Sequence, residues 1–377
     1  MQRSEGEMKA ILVLGARPQI IKSAPLIHLA SRDKQVHLEI IHTGQHYDYE
    51  MTKIFFEELQ LPDPMLNLNV GSGTHAQQTA KIMTRLERVL MEQKPDLVIV
   101  PGDTNSTLAG ALTAAKLNIP IAHIEAGPRS YDLRIPEEIN RRLTDHCSTI
   151  LFAPTENCAE NLRKEGIRSE QIVLSGDTMY DALLQCLPKA EKSNILERLE
   201  LTNRKYILLT LHRPDNVDNP ENLTNILKAL EQIKDLSIVF PVHPRTEKRL
   251  QSIELRRKLS RLNHVKATKP VSYHDNLSLI KNAEVVVTDS GGIQKEAFWL
   301  HTPCITLRNN RNACAEWIET VELKANRYSE TDTKKVLRAL RETLKDETIK
   351  ERLRKLPNPF GDGHASEKII RAIKASS

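Results

Sequence analysis

This chain predicts an α/β fold: two doubly wound, Rossmann-like domains facing a cleft. Three observations carry that reading. Short apolar runs alternate with helical patterns along most of the chain. The runs close on Gly, Pro, Asp or His just before a helix start. The alternation pauses at a polar stretch around Lys189 to Asn203 and then begins again. Strands alternating with helices imply parallel sheets covered on both faces. A length of 377 residues leaves room for two cores.

Ile11-Leu12-Val13-Leu14 is a buried-type run closed by Gly15, and a helix follows Pro18. Val36 to Ile41 is a second strand. His75 to Glu92 has the period of a long amphipathic helix. Leu97 to Val100 ends at Pro101-Gly102-Asp103, with the next helix from about Ser106. Pro120 to Ile124 and Ile150 to Ala153 are further strands. Beyond the polar stretch, Tyr206 to Leu209, Leu236 to Phe240 and Val285 to Val287 repeat the pattern. The boundary is expected within Asp181 to Arg204. That gives an N-terminal domain over 1–185 and a C-terminal nucleotide-binding domain over 186–360, with a last helix over about 361–377 returning to the first.

Composition narrows the function. Aromatics are 4% of the chain, so the cores must be built from Ile, Leu, Val and Ala. The net charge of +5 is dispersed, and no basic face with interleaved aromatics occurs, so nucleic acid is not an expected partner. The five cysteines are odd in number and contain no Cys-x-x-Cys pair, which fits a reducing, cytoplasmic setting. The polar N-terminus lacks a leader's apolar stretch, and no run is long enough to span a membrane.

Open α/β sheets bind ligands outside the carboxyl ends of their strands. Asp103, Glu125 and His212 fall there, and Glu137 follows Pro136 at a helix start in the loop beyond. Each has an ordinary alternative: a helix cap for Asp103 and Glu137, a solvated loop for Glu125, a structural role for His212. Their shared placement favours proton-transfer chemistry. In the second half, Thr288-Asp289-Ser290-Gly291-Gly292 opens a helix. Alone, Ser-Gly-Gly reads as a tight turn with a capping residue; with Glu296 to accept from a ribose diol, the reading shifts to a diphosphate admitted to the backbone amides by two glycines, with Ser290 adding a hydroxyl. The turn Gly15-Ala16-Arg17-Pro18 is not a Gly-x-Gly-x-x-Gly fingerprint, so no dinucleotide cofactor is expected. No His-Glu-x-x-His or Asp-x-Asp occurs, so no metal is expected.

These segments resemble the non-hydrolysing UDP-N-acetylglucosamine 2-epimerases over nearly the whole chain. The matches run in order: Gly15 to Lys22, Thr43-Gly44-Gln45-His46, Gly102 to Thr107, His123 to Gly127, Pro136 to Arg141, Leu211-His212-Arg213, Pro241-Val242-His243, Thr288 to Ala297 and Asn358 to Gly363. The resemblance implies the GT-B type two-domain fold of many nucleotide-sugar glycosyltransferases, a UDP-sugar substrate and a homodimer. It implies catalytic roles for Asp103, Glu125, Glu137 and His212. Arg17 and Lys22 match positions near the nucleotide and phosphates, and Ser290, Gly291, Gly292 and Glu296 match diphosphate and ribose contacts. Gln45, His46 and His243 match positions that in some members bind a second, activating UDP-sugar. Gln19 stands where members often have Glu, and Pro128 where they have Leu. The Ala-Arg-Pro-Gln form resembles a subgroup acting on modified sugars such as UDP-diacetamido-uronic acids. The segment Leu307 to Glu319 is longer than its usual counterpart.

The C2 proton of a closed sugar ring has no neighbouring carbonyl to activate it. Inversion there needs transient oxidation or transient loss of the anomeric group. Without a dinucleotide fingerprint, elimination of UDP and its re-addition is the expected route. A hydrolysing epimerase, a glycosyltransferase and a silent UDP-sugar sensor are the competing readings.

Overall fold

The computed structural model describes residues 7–45, 49–202, 204–250, 263–308 and 317–376. The chain divides into two compact units, Met1–Gln185 with Pro359–Ser377, and Cys186–Asn358.

The first unit holds strands β1 (Met8–Leu14), β2 (Val36–His42), β3 (Leu66–Asn67), β4 (Leu97–Pro101), β5 (Ile121–Ile124), β6 (Ile150–Ala153) and β7 (Ile172–Leu174). Among the described residues they form one parallel sheet in the order β3-β2-β1-β4-β5-β6-β7. Leu12 lies opposite Ile40 on one side and Ile99 on the other. Both faces of β1 are covered, which is why Ile11 to Leu14 read as an unbroken apolar run with no exposed side chain. The helix His75–Gln93 lays Ile82, Leu86 and Leu90 on that core, four residues apart on one face. Each such buried side chain contributes about 1.5–3 kcal/mol. The helix begins at Thr74, whose hydroxyl accepts from Gln77 N at 3.3 Å, and stops at Lys94 in the left-handed region. Gly110 lets the helix Asn105–Lys116 sit close on β4, since a Cβ there would stand 2.9 Å from Val100 Cγ1.

The last helix, Ala365–Ala375, belongs to this unit and packs on the helix Arg17–Ala30. Its first amides are taken by a buried carboxylate: Ala365 N and Ser366 N donate to Asp181 at 3.1 and 2.7 Å.

The second unit holds β8 (Tyr206–Thr210), β9 (Ser237–Pro241), β10 (Val265–Thr268), β11 (Val285–Thr288), β12 (Cys304–Leu307) and β13 (Asn326–Ser329). Their order is β10-β9-β8-β11-β12-β13, again parallel. Side chains alternate between two cores. Ile207, Leu209, Val285 and Val287 face one, and Tyr206, Leu208 and Val286 the other. Strands β3, β7, β10, β12 and β13 lie outside those predicted from the sequence. Among the described residues no helix is long and apolar enough to cross a membrane.

Candidate active site

Each sheet reverses its strand order once, between β1 and β4 in the first unit and between β8 and β11 in the second. Neighbouring connections leave these strand ends on opposite faces, which opens a crevice at the carboxyl ends.

In the first unit, β4 is followed by Gly102, which is left-handed at φ +69°. β5 is followed by Glu125, an ordinary residue also held in the left-handed region, at φ +68°. That costs Glu125 about 1–3 kcal/mol of backbone strain. Lys22, on the helix after β1, donates from Nζ to Glu125 Oε1 at 2.7 Å, with side-chain exposures of 10% and 11%. Glu125 is therefore not a solvated loop carboxylate. A Cβ on Gly102 would lie 3.2 Å from Lys22 Nζ and 3.7 Å from Glu125 Oε1, so both charged heads sit over the glycine. Asp103 comes next. It is not the helix cap, because Thr104 takes that place and accepts from Thr107 N. Instead Asp103 Oδ2 accepts from Arg141 Nη2 at 2.5 Å, and its carbonyl accepts from Asn140 Nδ2 at 2.9 Å.

Asn140 and Arg141 belong to the helix Pro136–Cys147. Glu137 precedes them by three and four residues, so it shares their face one turn nearer the N-terminus. It is exposed and, among the described residues, makes no hydrogen bond or ion pair. Its neighbour Glu138 differs sharply. Fully buried, it accepts from Ser130 N (2.8 Å), Ser130 Oγ (3.0 Å), Tyr131 N (3.2 Å), Arg141 Nη1 (3.3 Å) and Arg142 Nε (2.9 Å). Of the acidic pair behind Pro136, one carboxylate pins the loop and the other is open to solvent.

Beneath Gly102 runs a chain of charges that the sequence reading missed. His123, two residues before Glu125 and fully buried, donates from Nε2 to the Gly102 carbonyl at 2.7 Å and from Nδ1 to Asp145 Oδ1 at 2.6 Å. Both ring nitrogens face oxygen acceptors. Asp145 Oδ2 meets Arg129 Nη2 at 2.7 Å, and Arg129 reaches Glu165 with two hydrogen bonds of 2.9 and 2.6 Å. Burial pushes the Asp145 carboxyl up, but the charges and hydrogen bonds of His123 and Arg129 outweigh it and hold it below the ordinary carboxylate range. Signs alternate along the chain, so no buried charge is left uncompensated.

Other predicted positions fall around the same mouth. Arg17 opens the first helix, exposed, with its guanidinium 5.4 Å from the Phe55 ring centroid. Lys22, matched to phosphate-side positions, is engaged here with Glu125. Gln19 is buried and uses every hydrogen-bonding site: Oε1 accepts from Gly15 N and Ala16 N (2.9 and 3.0 Å), and Nε2 donates to Pro101 O and Thr107 Oγ1 (2.8 and 3.0 Å). It thereby ties the end of β1 to the end of β4. Gln45 Oε1 accepts from Ser106 N and Oγ at 3.0 and 2.6 Å, at the start of the helix after β4. His46 lies outside the described residues, as do residues 309–316 of the long segment.

In the second unit, His212 follows β8 and Asp289 follows β11, at the strand reversal. Asp289 is fully buried and pairs with the His212 imidazole at 3.1 Å. Burial alone would raise its pKa. The His212 charge and hydrogen bond, with Arg213 N and Asn216, bring it down to about 2. Asp289 is a second residue missed in sequence, although it directly follows a strand beside the Ser-Gly-Gly turn. Ser290 caps the helix Gly291–Trp299, its Oγ accepting from Ile293 N at 3.4 Å. Gly291 and Gly292 have no positive φ, so they do not serve a left-handed turn. What they provide is an N-terminus with no side chains in front of its amides. Glu296 is buried further along the same helix. His243, after β9, is exposed, with its ring centroid 5.6 Å from that of His212. Among the described residues no group of three or more His, Cys, Asp or Glu is arranged to hold a metal ion.

A family model described as UDP-N-acetylglucosamine 2-epimerase matches residues 29–374. The chain belongs to the UDP-N-acetylglucosamine 2-epimerase family. It is 48% identical to the UDP-N-acetylglucosamine 2-epimerase of Methanocaldococcus jannaschii, over 97% of this chain and 99% of that one. A crystal structure of the M. jannaschii enzyme in complex with UDP-GlcNAc and UDP superposes with a TM-score of 0.90 at 48% identity, covering 98% of this chain and 100% of the other. The UDP-2,3-diacetamido-2,3-dideoxy-D-glucuronate 2-epimerase of Pseudomonas aeruginosa is 41% identical over 97% of this chain and 99% of its own. Like these relatives, the chain is an epimerase with two doubly wound domains of GT-B type.

Proposed function

We propose that this chain reversibly inverts C2 of UDP-N-acetylglucosamine, giving UDP-N-acetylmannosamine without hydrolysis. The carrying observation is Glu125, a strained carboxylate locked to Lys22 over Gly102, the residue before Asp103. The crystallised M. jannaschii relative, bound to UDP-GlcNAc and UDP, supports the choice of sugar.

The C1–O bond breaks with its electron pair leaving on UDP. A carboxylate takes the C2 proton, and a 2-acetamidoglucal forms. Reprotonation on the opposite face and return of UDP complete the inversion. Asp103, Glu125 and Glu137 are assigned jointly to the proton transfers and to stabilising oxocarbenium-like charge. Lys22 lies against Glu125, so a positive charge stays beside the carboxylate as it gains or loses a proton. The open amides at Gly291 and Gly292, the Ser290 hydroxyl, Arg17 and His212 are assigned to the departing diphosphate, and Glu296 to the ribose. The proposal extends to a cytoplasmic homodimer supplying an amino-sugar precursor for polysaccharide. A second UDP-sugar acting as activator is assigned to Gln45, His46 and His243; a sigmoidal dependence of rate on substrate supports it, and a hyperbolic one rejects it.

The P. aeruginosa relative favours a second reading, inversion of a UDP-diacetamido-uronic acid. Purified protein is therefore offered each UDP-sugar separately, with products followed by proton and phosphorus NMR. The proposal predicts UDP-N-acetylmannosamine with the diphosphate intact. Free sugar plus UDP would instead indicate a hydrolase, and turnover of the uronic acid alone would transfer the proposal to that substrate.

A further inference from the structure

The Asp289 carboxylate accepts from four donors. His212 N donates to both oxygens at 3.1 Å. Arg213 N and Asn216 Nδ2 donate to Oδ2 at 3.0 and 3.1 Å. Oδ1 faces the His212 imidazole at Nδ1, 3.1 Å away. Asn216 is fixed in turn by a second bond to the Leu307 carbonyl at 3.1 Å. The two oxygens therefore have different work. Oδ2 holds the start of the loop after β8, and Oδ1 holds the ring. An ionised carboxylate can only accept, so Nδ1 must carry hydrogen. Nε2 is then the ring nitrogen left to face the substrate. Among the described residues of this unit, Asp289 after β11 and His243 after β9 face the ring, and Arg213 stands beside it in sequence.

We infer that Asp289 is a positioning residue for His212: it fixes the tautomer with hydrogen on Nδ1 and lets the ring meet the departing diphosphate as an imidazolium, donating from Nε2. The inference rests on the assignment of His212 to the diphosphate. The Nε2 proton comes from solvent and stays on the ring. What forms in the transition state is a charge-assisted hydrogen bond as negative charge gathers on UDP. A purely structural Asp289 would tie the two loops together without involving the ring.

Asp289→Asn separates the two. Its amide oxygen is drawn to the Arg213 and Asn216 donors, which keeps the loop. Its NH2 then faces Nδ1, which inverts the tautomer and opposes the imidazolium. Asp289→Asn, His212→Asn and the double variant are assayed with UDP-N-acetylglucosamine, with folding checked by thermal melting. The expected result is a kcat reduced on the order of tenfold or more in each single variant, with a smaller change in KM. Asp289→Asn should cost nothing further in the His212→Asn background. Losses that multiply overturn the inference. A His212→Asn enzyme of unchanged kcat removes the role of His212 itself, a distinct failure. Nitrogen-15 NMR of the unaltered protein gives a test free of folding effects. Hydrogen on Nδ1 is required, and a His212 ring protonated on Nε2 alone overturns the inference.

Discussion

Glu137 and Glu138 are adjacent acids with opposite surroundings, and they should respond oppositely to the same change. Glu138→Gln loses charge on a carboxylate that holds five donors, so the loop at Ser130 and Tyr131 should loosen. We expect a loss of about 1.5–3 kcal/mol in urea unfolding. Glu137→Gln should leave stability within about 0.5 kcal/mol while lowering kcat. A stable Glu138→Gln protein would contradict the buried clamp. Gln19→Glu makes a third case. The new carboxylate would turn an oxygen toward the Pro101 carbonyl, where Nε2 now donates. The variant should be less stable at neutral pH and recover as the pH falls and the carboxyl regains a proton, as pH-dependent melting will show. Much of this was not legible in sequence. Asp103, Glu125 and His212 could be found because they follow closely on strand ends. The pairing of Glu125 with Lys22 spans 103 positions, and that of Asp289 with the His212 loop spans 77; both depend on which strands become neighbours. The left-handed backbone at Glu125 leaves no mark on composition at all.

At the scale of elements, the turn after β1 is held tightly. A Cβ on Gly15 would collide with Ser106 Oγ and Thr43 Oγ1, which hydrogen-bond each other at 2.8 Å. Gly15→Ala should push the start of the helix Asn105–Lys116 away from β1. A lowered melting temperature and reduced kcat/KM together would report it, and unchanged values would contradict the packing. Strands β1, β4, β5, β8 and β11 were legible because both their faces are buried and their apolar runs close on turn residues. β12 shares the burial but breaks its apolar run with Thr306, and the other unpredicted strands lack the signature. β3 has two residues, and β10 places Lys266 and Thr268 among its four. β7 leaves Leu174 half exposed, and β13 alternates polar side chains. Such strands are specified by the neighbour they extend rather than by their own sequence.

Over the whole molecule, two buried carboxylates should make stability fall in acid. Asp289 is held at about 2 against an ordinary 3.8, and Asp145 is also lowered. A lowered folded-state pKa gives stability that is present above the ordinary value and is lost as pH falls through the folded one. Asp289 alone accounts for about 2 kcal/mol, lost between roughly pH 4 and pH 2. Urea unfolding across that range should show the fall, and Asp289→Asn should flatten its share; equal slopes would contradict the pairing. Two doubly wound domains were legible from alternation, and the polar residues at the carboxyl ends of their strands from where the apolar runs stop. The charge chain from His123 to Glu165 beneath one of those mouths was not. The central claim is that Glu125 belongs to the groups that move the C2 proton. Incubating the enzyme with UDP-N-acetylglucosamine in deuterated water tests it directly, read by proton NMR at C2. The unaltered enzyme should place deuterium at C2 of both UDP-sugars, and Glu125→Gln should slow that exchange by about a hundredfold or more. Exchange at the full rate in a folded Glu125→Gln enzyme would contradict the claim.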